Sequence, residues 1–295
     1  MPAFHNEPDP GRNEQTPAHD QRGALGYAAI SLRLLADTGL GLWMLLGAAL
    51  ALGIFRAGRG ESLVPLALGA LFLGAGLLVA CFRGPNVPAW HGWHPRRRGW
   101  PTGDALIALA TFLLMLAVAG LTRGDNTFWP TRIAGAVLAL CSLGSLIQGA
   151  HDRGKASASL PIERVLFACY AGGLWLRLCA VADDPAVLGP ASQLWTLLLL
   201  ILALLLGLAE GLRWRGQRKN SPALPEGRAA AHGSLRYVAA LLSYGVPCVT
   251  LLLAEPARLG LVLVGLAACC CLLGKILEQR LHRFAPDGEA DTARF

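Results

Sequence analysis

Eight long apolar stretches constrain this chain more than any single residue does. They run from Leu34 to Phe55, Leu63 to Phe82, Ala105 to Leu121, Ile133 to Ile147, Val165 to Ala182, Ala186 to Leu208, Tyr237 to Leu253 and Leu259 to Leu273. A helix needs about 20 residues to cross a hydrocarbon core of about 30 Å, and most of the stretches reach this with their flanks. In lipid the backbone polar groups must be satisfied within the segment or by barrel closure. The stretches are rich in Leu, Ala, Gly and Val without period-2 alternation, which excludes a barrel. The expected fold is all-α, a polytopic bundle of eight transmembrane helices.

Charge placement gives the orientation. Only 15% of the 295 residues are charged, against roughly 25% in a soluble domain. The net charge of +7 does not indicate nucleic-acid binding, because 20 of the 26 Lys and Arg residues fall on the termini and the even-numbered loops. Five fall on the odd-numbered loops, and Arg177 lies within a span. Positive charge marks the cytoplasmic side, so both termini are expected in the cytoplasm, and a partner subunit is expected on that basic side. The first 23 residues are polar and lack the apolar core of a signal peptide, so the first span is expected to insert uncleaved. The expected organisation is a disordered cytoplasmic tail over 1–23, a membrane domain over 24–284 and a cytoplasmic tail over 285–295. The setting is expected to be a bacterial inner membrane.

The chemistry that the chain lacks narrows its role. All seven His residues (His5, His19, His91, His94, His151, His232 and His282) lie outside the apolar stretches. A haem held between membrane helices needs axial ligands within them, usually His, so no haem is expected. Cys269, Cys270 and Cys271 are consecutive, but neighbours on a helix splay about 100° apart, and no CxxC pair exists. No metal site is expected, and the cysteines read as small packing residues. GxSxG, HExxH and P-loop patterns are absent.

The residues that remain set the candidate sites. Trp90, Trp93 and Trp100 cluster in the second loop with His91, His94 and Arg96, Arg97 and Arg98. This is either an interfacial aromatic belt or a docking and quinone-headgroup surface. Ionisable residues at membrane depth are few, which weighs against a proton pump. Asp37 lies one turn inside the first span, with Arg33 four residues earlier on the same face. They form an interfacial ion pair, or Asp37 accepts protons beside a quinone. Asp104 opens the third span as an N-cap or a proton-handling group. Arg177 either snorkels outward or pairs with Asp183 and Asp184. Ser243 and Tyr244 can donate to a carbonyl, an interhelical hydrogen bond being the simpler use. Gly39, Gly41, Gly47, Gly69, Gly74, Gly76, Gly172, Gly173, Gly260 and Gly265 are expected to permit close helix approach. Pro247 is expected to kink the seventh span. No internal repeat is obvious by eye.

Several of these residues, taken in order, form a resemblance. The first span carries Asp37-Thr38-Gly39-Leu40-Gly41-Leu42, and the second ends in Cys81-Phe82-Arg83-Gly84-Pro85 and runs on to Pro88-Ala89-Trp90. The third opens on Gly99-Trp100-Pro101-Thr102-Gly103-Asp104, and the eighth ends in Gly274-Lys275-Ile276-Leu277-Glu278 before Arg283-Phe284. From Leu34 to Phe284 the series resembles the membrane-anchor subunit of dimethyl-sulfoxide-reductase-type molybdenum enzymes, within the polysulfide-reductase membrane-subunit superfamily. The quinone-associated His of that family is replaced here by Phe82 or Arg83, with His91 or His94 nearby in the loop.

The resemblance implies a non-catalytic subunit without haem. It would anchor an iron–sulfur subunit and a molybdopterin catalytic subunit and exchange electrons with the quinone pool. Quinone is then expected near Asp37, His91, Trp100 and Asp104, and the partner on Trp90, Trp93, His94 and Arg96 to Arg98. A cytoplasmic partner resembles the sulfite-dehydrogenase branch more than periplasmic reductases of anaerobic respiration. The competing expectations are a stand-alone small-molecule transporter and a structural anchor without quinone chemistry.

Overall fold

The computed structural model describes residues 16–54, 59–82, 103–122, 128–151, 159–183, 190–220, 234–254 and 259–283, and among them all regular structure is helical. The helices are α1 (Thr16–Ala51), α2 (Arg59–Phe82), α3 (Gly103–Leu121), α4 (Trp129–His151), α5 (Ser159–Asp183), α6 (Pro190–Asn220), α7 (Ser234–Ala254) and α8 (Gly260–Arg283). They match the eight apolar stretches one for one. Six of them, α1 and α4 to α8, are long and apolar enough to cross a membrane, which makes this a multi-pass membrane protein. In α2 and α3 the described apolar parts are shorter, Ser62–Ala75 and Leu109–Leu121. The first turns of α1 fall within the stretch expected to be a tail.

Glycine explains why α1 lies at the centre. A side chain on Gly41 would collide with the Ala168 carbonyl, and one on Gly172 with the Gly41–Leu42 backbone, so α1 and α5 touch backbone to backbone. Two residues away, on the opposite side of the helix, a Cβ on Gly39 would lie 2.9 Å from the Gly69 carbonyl oxygen of α2. On a third face, a Cβ on Gly47 would lie 2.5 Å from the Gly135 carbonyl oxygen of α4. Small residues are what allow membrane helices to approach this closely. Gly74 departs from the expectation, since a Cβ there would meet nothing within 4 Å. Gly135 and Gly274 are two contact glycines that span composition did not single out. Trp43 locks α1 to α2, its indole donating to the Leu66 carbonyl at 3.1 Å while its ring meets Phe112 edge-on.

The packing repeats, which the sequence did not show by eye. α1 meets α2 and α4 as α5 meets α6 and α8, and α3 packs on α4 as α7 packs on α8. Across the halves, α1 meets α8 and α4 meets α5. Individual contacts correspond as well. Gly47 faces Gly135 in the first half, and Leu178 faces Gly265 at 3.7 Å in the second. The α3–α4 and α7–α8 crossings differ in detail: Thr111 meets Ser145 at 3.3 Å, while Ser243 sits against Gly274 and nothing lies within 4 Å of a Cβ on Gly144. With this guide Cys141-Ser142-Leu143-Gly144 aligns with Cys271-Leu272-Leu273-Gly274. The repeats are parallel, since α1 and α5 run the same way, an arrangement known among membrane proteins.

Two apolar clusters follow this division. One joins α1 to α2, α3, α4 and α5, and the other joins α1 to α5, α6, α7 and α8. In α7 the effect of Pro247 is a single π turn, Leu241–Gly245, closed by the Val246 N–H on the Leu241 carbonyl. Proline has no N–H for the preceding turn, and a wider turn is one way a helix absorbs that loss. Thr250 returns a hydroxyl to the Val246 carbonyl at 2.8 Å.

Candidate functional site

One end of the bundle gathers a set of ion-paired side chains. The start of α1, α5 and α7 and the finish of α4, α6 and α8 meet there, on the side of the even-numbered connections. The outermost pair is Glu163 of α5 and Arg213 of α6, 3.0 Å apart and partly exposed. Deeper, Arg164 of α5 crosses to α1. Its Nε donates to both Asp37 oxygens at 3.0 Å, and its Nη2 donates to Oδ1 at 2.5 Å. Its Nη1 donates to the Leu146 carbonyl of α4 at 3.2 Å. One guanidinium thus ties three helices together. Arginine's planar fork suits it to such a role.

Beside this lies a triad. Lys275 of α8 donates to Glu210 of α6 and to Glu278, one turn on, the latter at 2.9 Å. Its ammonium also stands 5.7 Å from the centre of the Phe167 ring. Both carboxylate residues are buried. Next to Lys275, Gly274 lets α8 close onto α7, where an added Cβ would lie 2.6 Å from the Ser243 nitrogen and 2.8 Å from the Ala239 carbonyl oxygen. Two carboxylates share one ammonium here.

Deeper still are hydroxyls. Tyr170 of α5 and Tyr244 of the π turn have rings 6.3 Å apart, and Tyr244 lies within electrostatic range of Glu278 and Glu163. The hydroxyls of Tyr170, Tyr244 and Ser243 are all buried with no hydrogen-bond partner among the described residues. Helical rise places Tyr170 about 12 Å and Tyr244 about 15 Å inside the ends of their spans, Lys275 about 9 Å and Glu278 about 5 Å. The result is a ladder from an exposed ion pair, through a buried charged triad, to two unsatisfied phenols.

Of the residues expected to bind quinone, Asp37 is buried and gripped by Arg164, a partner the sequence did not suggest. Asp104 lies in the first turn of α3, and its side chain is outside the described residues. His91, Trp100 and the docking residues Trp90, Trp93, His94, Arg96, Arg97 and Arg98 also lie outside the described residues. Arg177, expected to snorkel or to pair with outer aspartates, is buried within the protein at 6% exposure. Tyr244 and Ser243 do not make the interhelical hydrogen bond expected of them.

Six charged residues that the sequence did not single out as a site come together here. Glu163, Arg164, Glu210, Arg213, Lys275 and Glu278 sit near span ends and read one at a time as loop-facing. The detectable signals were the three-residue spacing of Glu210 with Arg213 and of Lys275 with Glu278, each placing two charges on one helix face. Comparison with family models, characterised proteins and solved structures finds no match to this chain.

Proposed function

We propose that this chain is the membrane subunit of a quinone-linked oxidoreductase of the bacterial inner membrane. It crosses the bilayer eight times with both termini in the cytoplasm. It docks an iron–sulfur subunit on its basic side and passes electrons between that subunit and the quinone pool, without haem. A molybdopterin subunit carries the catalysis, and a cytoplasmic substrate such as sulfite fits the orientation given by the charge count.

The single observation carrying this reading is the ladder at the basic end. Ionisable groups inside a membrane bundle are costly and mark ion or proton paths. A quinone that changes redox state near this end needs proton exchange with the same aqueous side, through groups within hydrogen-bond reach. The ladder supplies carboxylates, an ammonium and phenols in that order. The series of motifs from Asp37 to Phe284 adds the identity of the partners.

The test is purification of the tagged chain from its native membrane. The expected result is co-migration of molybdenum- and iron-containing subunits whose reduced clusters are reoxidised by added quinone. A monodisperse chain with no redox partner overturns the reading. A second reading, a small-molecule carrier, is favoured by the buried charged triad, since ionisable groups inside a membrane bundle also mark substrate and ion paths. Substrate uptake into vesicles containing this chain alone would establish it.

A further inference from the structure

The two halves of the bundle differ at one corner. In the first half, Ser145 follows Gly144 and is satisfied by the Cys141 carbonyl at 3.0 Å and by Thr111. In the second, Lys275 follows Gly274 at the matching place, and Glu278 stands where the first half has Gln148. The first-half corner is open where the second is tight, since a Cβ on Gly144 would meet nothing within 4 Å and one on Gly274 would lie 2.6 Å from the Ser243 nitrogen. Lys275 and Glu278 are thus charged where the first half is neutral, and Glu278 lies within electrostatic range of Tyr244.

A buried polar group without a partner costs about 1–3 kcal/mol. Two phenol hydroxyls with none, on facing rings in one half of the bundle, call for a molecule that satisfies them. Tyr170 itself is fully buried. Tyr244 sits in the π turn of α7, and π turns interrupt helices frequently at functional sites.

The surroundings define the chemistry of that molecule. The phenols are hydrogen-bond donors, so the molecule presents an acceptor. A cation would be drawn past the phenols to Glu210 and Glu278. A neutral molecule bearing a carbonyl takes the phenolic O–H groups as donors, and a planar one lies against the rings. The exposed apolar side chains of α7, Leu241, Val249 and Leu252, face outward, so the bilayer reaches this helix directly.

We propose that Tyr170 and Tyr244 are the head-group end of a site in the second half of the bundle for a lipid-soluble, carbonyl-bearing planar ligand, a quinone, bounded by α5, α7 and α8. This rests on the quinone reading above and moves its site from the Asp37, Trp100 and Asp104 region to the π turn.

The test uses the full chain, with whatever partner co-purifies, in lipid nanodiscs. Short-chain ubiquinone and menaquinone analogues are titrated against tryptophan fluorescence. Tyr170→Phe and Tyr244→Phe should each weaken binding by about tenfold, the loss of roughly one hydrogen bond. Thermal stability should not fall, because neither hydroxyl holds a protein partner. Ser145→Ala, in the matching corner of the first half, should leave binding unchanged. If the unsubstituted chain binds quinone and both Phe variants bind it equally well, this location is wrong while the quinone reading stands. If the Phe variants lose stability with binding intact, the hydroxyls hold structural water and the proposal is overturned. If the unsubstituted chain binds neither analogue, the quinone reading falls, and this site with it.

Discussion

Arg164 is the residue whose loss should be felt most. It is held by Asp37 and the Leu146 carbonyl, so its removal strands a buried carboxylate and frees a helix-end carbonyl. Breaking a buried pair from one side costs about 3–5 kcal/mol. Arg164→Met should therefore lower the detergent-solubilised melting temperature sharply. Asp37→Asn in the same chain should recover part of the loss, because the uncompensated charge is gone. Equal stability of the single and double variants would show that the pair has no structural role. Lys275 offers a contrast, since its two carboxylates do not stand alike. Lys275→Met leaves Glu210 and Glu278 buried without their cation, whereas Glu278→Gln leaves a matched Lys275–Glu210 pair. The first should destabilise the bundle markedly and the second little, as read by thermal unfolding. Comparable losses in both would mean that Glu278 is an equal partner in holding α8.

At the scale of elements, α1 is fixed by three glycine faces, and the α5 face is the tightest. Gly41→Leu would drive a side chain into the Ala168 backbone, which cannot move aside as a side-chain end can. Overpacking ordinarily costs about 1–3 kcal/mol, and a backbone obstacle puts this site at the top of that range or above. Gly74→Leu should be tolerated, because nothing lies within 4 Å of the added Cβ. Yields of folded protein by fluorescence size exclusion would separate the two. Helix number and approximate position were legible in the sequence, because runs of Leu and Ala in lipid allow no other structure. Which glycine meets which helix was not, since Gly41 and Gly74 sit in equally apolar runs and differ only in what lies opposite. The ladder was hidden for the same reason. Glu163, Glu210, Lys275 and Glu278 lie on three helices and come together only when α5, α6 and α8 do. Tyr244 was visible as a polar group in an apolar run, but its lack of a partner is a property of the assembled bundle.

At the scale of the whole molecule, the described residues form two four-helix halves, His151 ending the first and Ser159 opening the second, with the backbone contact of α1 and α5 at the centre. This geometry predicts how the chain can be cut. Each half has its own apolar cluster, but α1 and α5 contribute to both, so neither half should be stable alone. A chain divided after Lys155, with residues 1–155 and 156–295 expressed together, should reassemble, because no described helix is severed. The reassembled pair should co-purify through a tag on either fragment. Gly41→Leu in the first fragment should abolish that association while leaving each fragment's insertion into the membrane unchanged, since insertion depends on hydropathy and not on the α1–α5 contact. Association that survives Gly41→Leu would show that α1–α8 and α4–α5 contacts hold the halves, and that the central glycine crossing only sets their spacing. Failure of the unsubstituted fragments to associate would mean that the two halves must fold as one continuous chain.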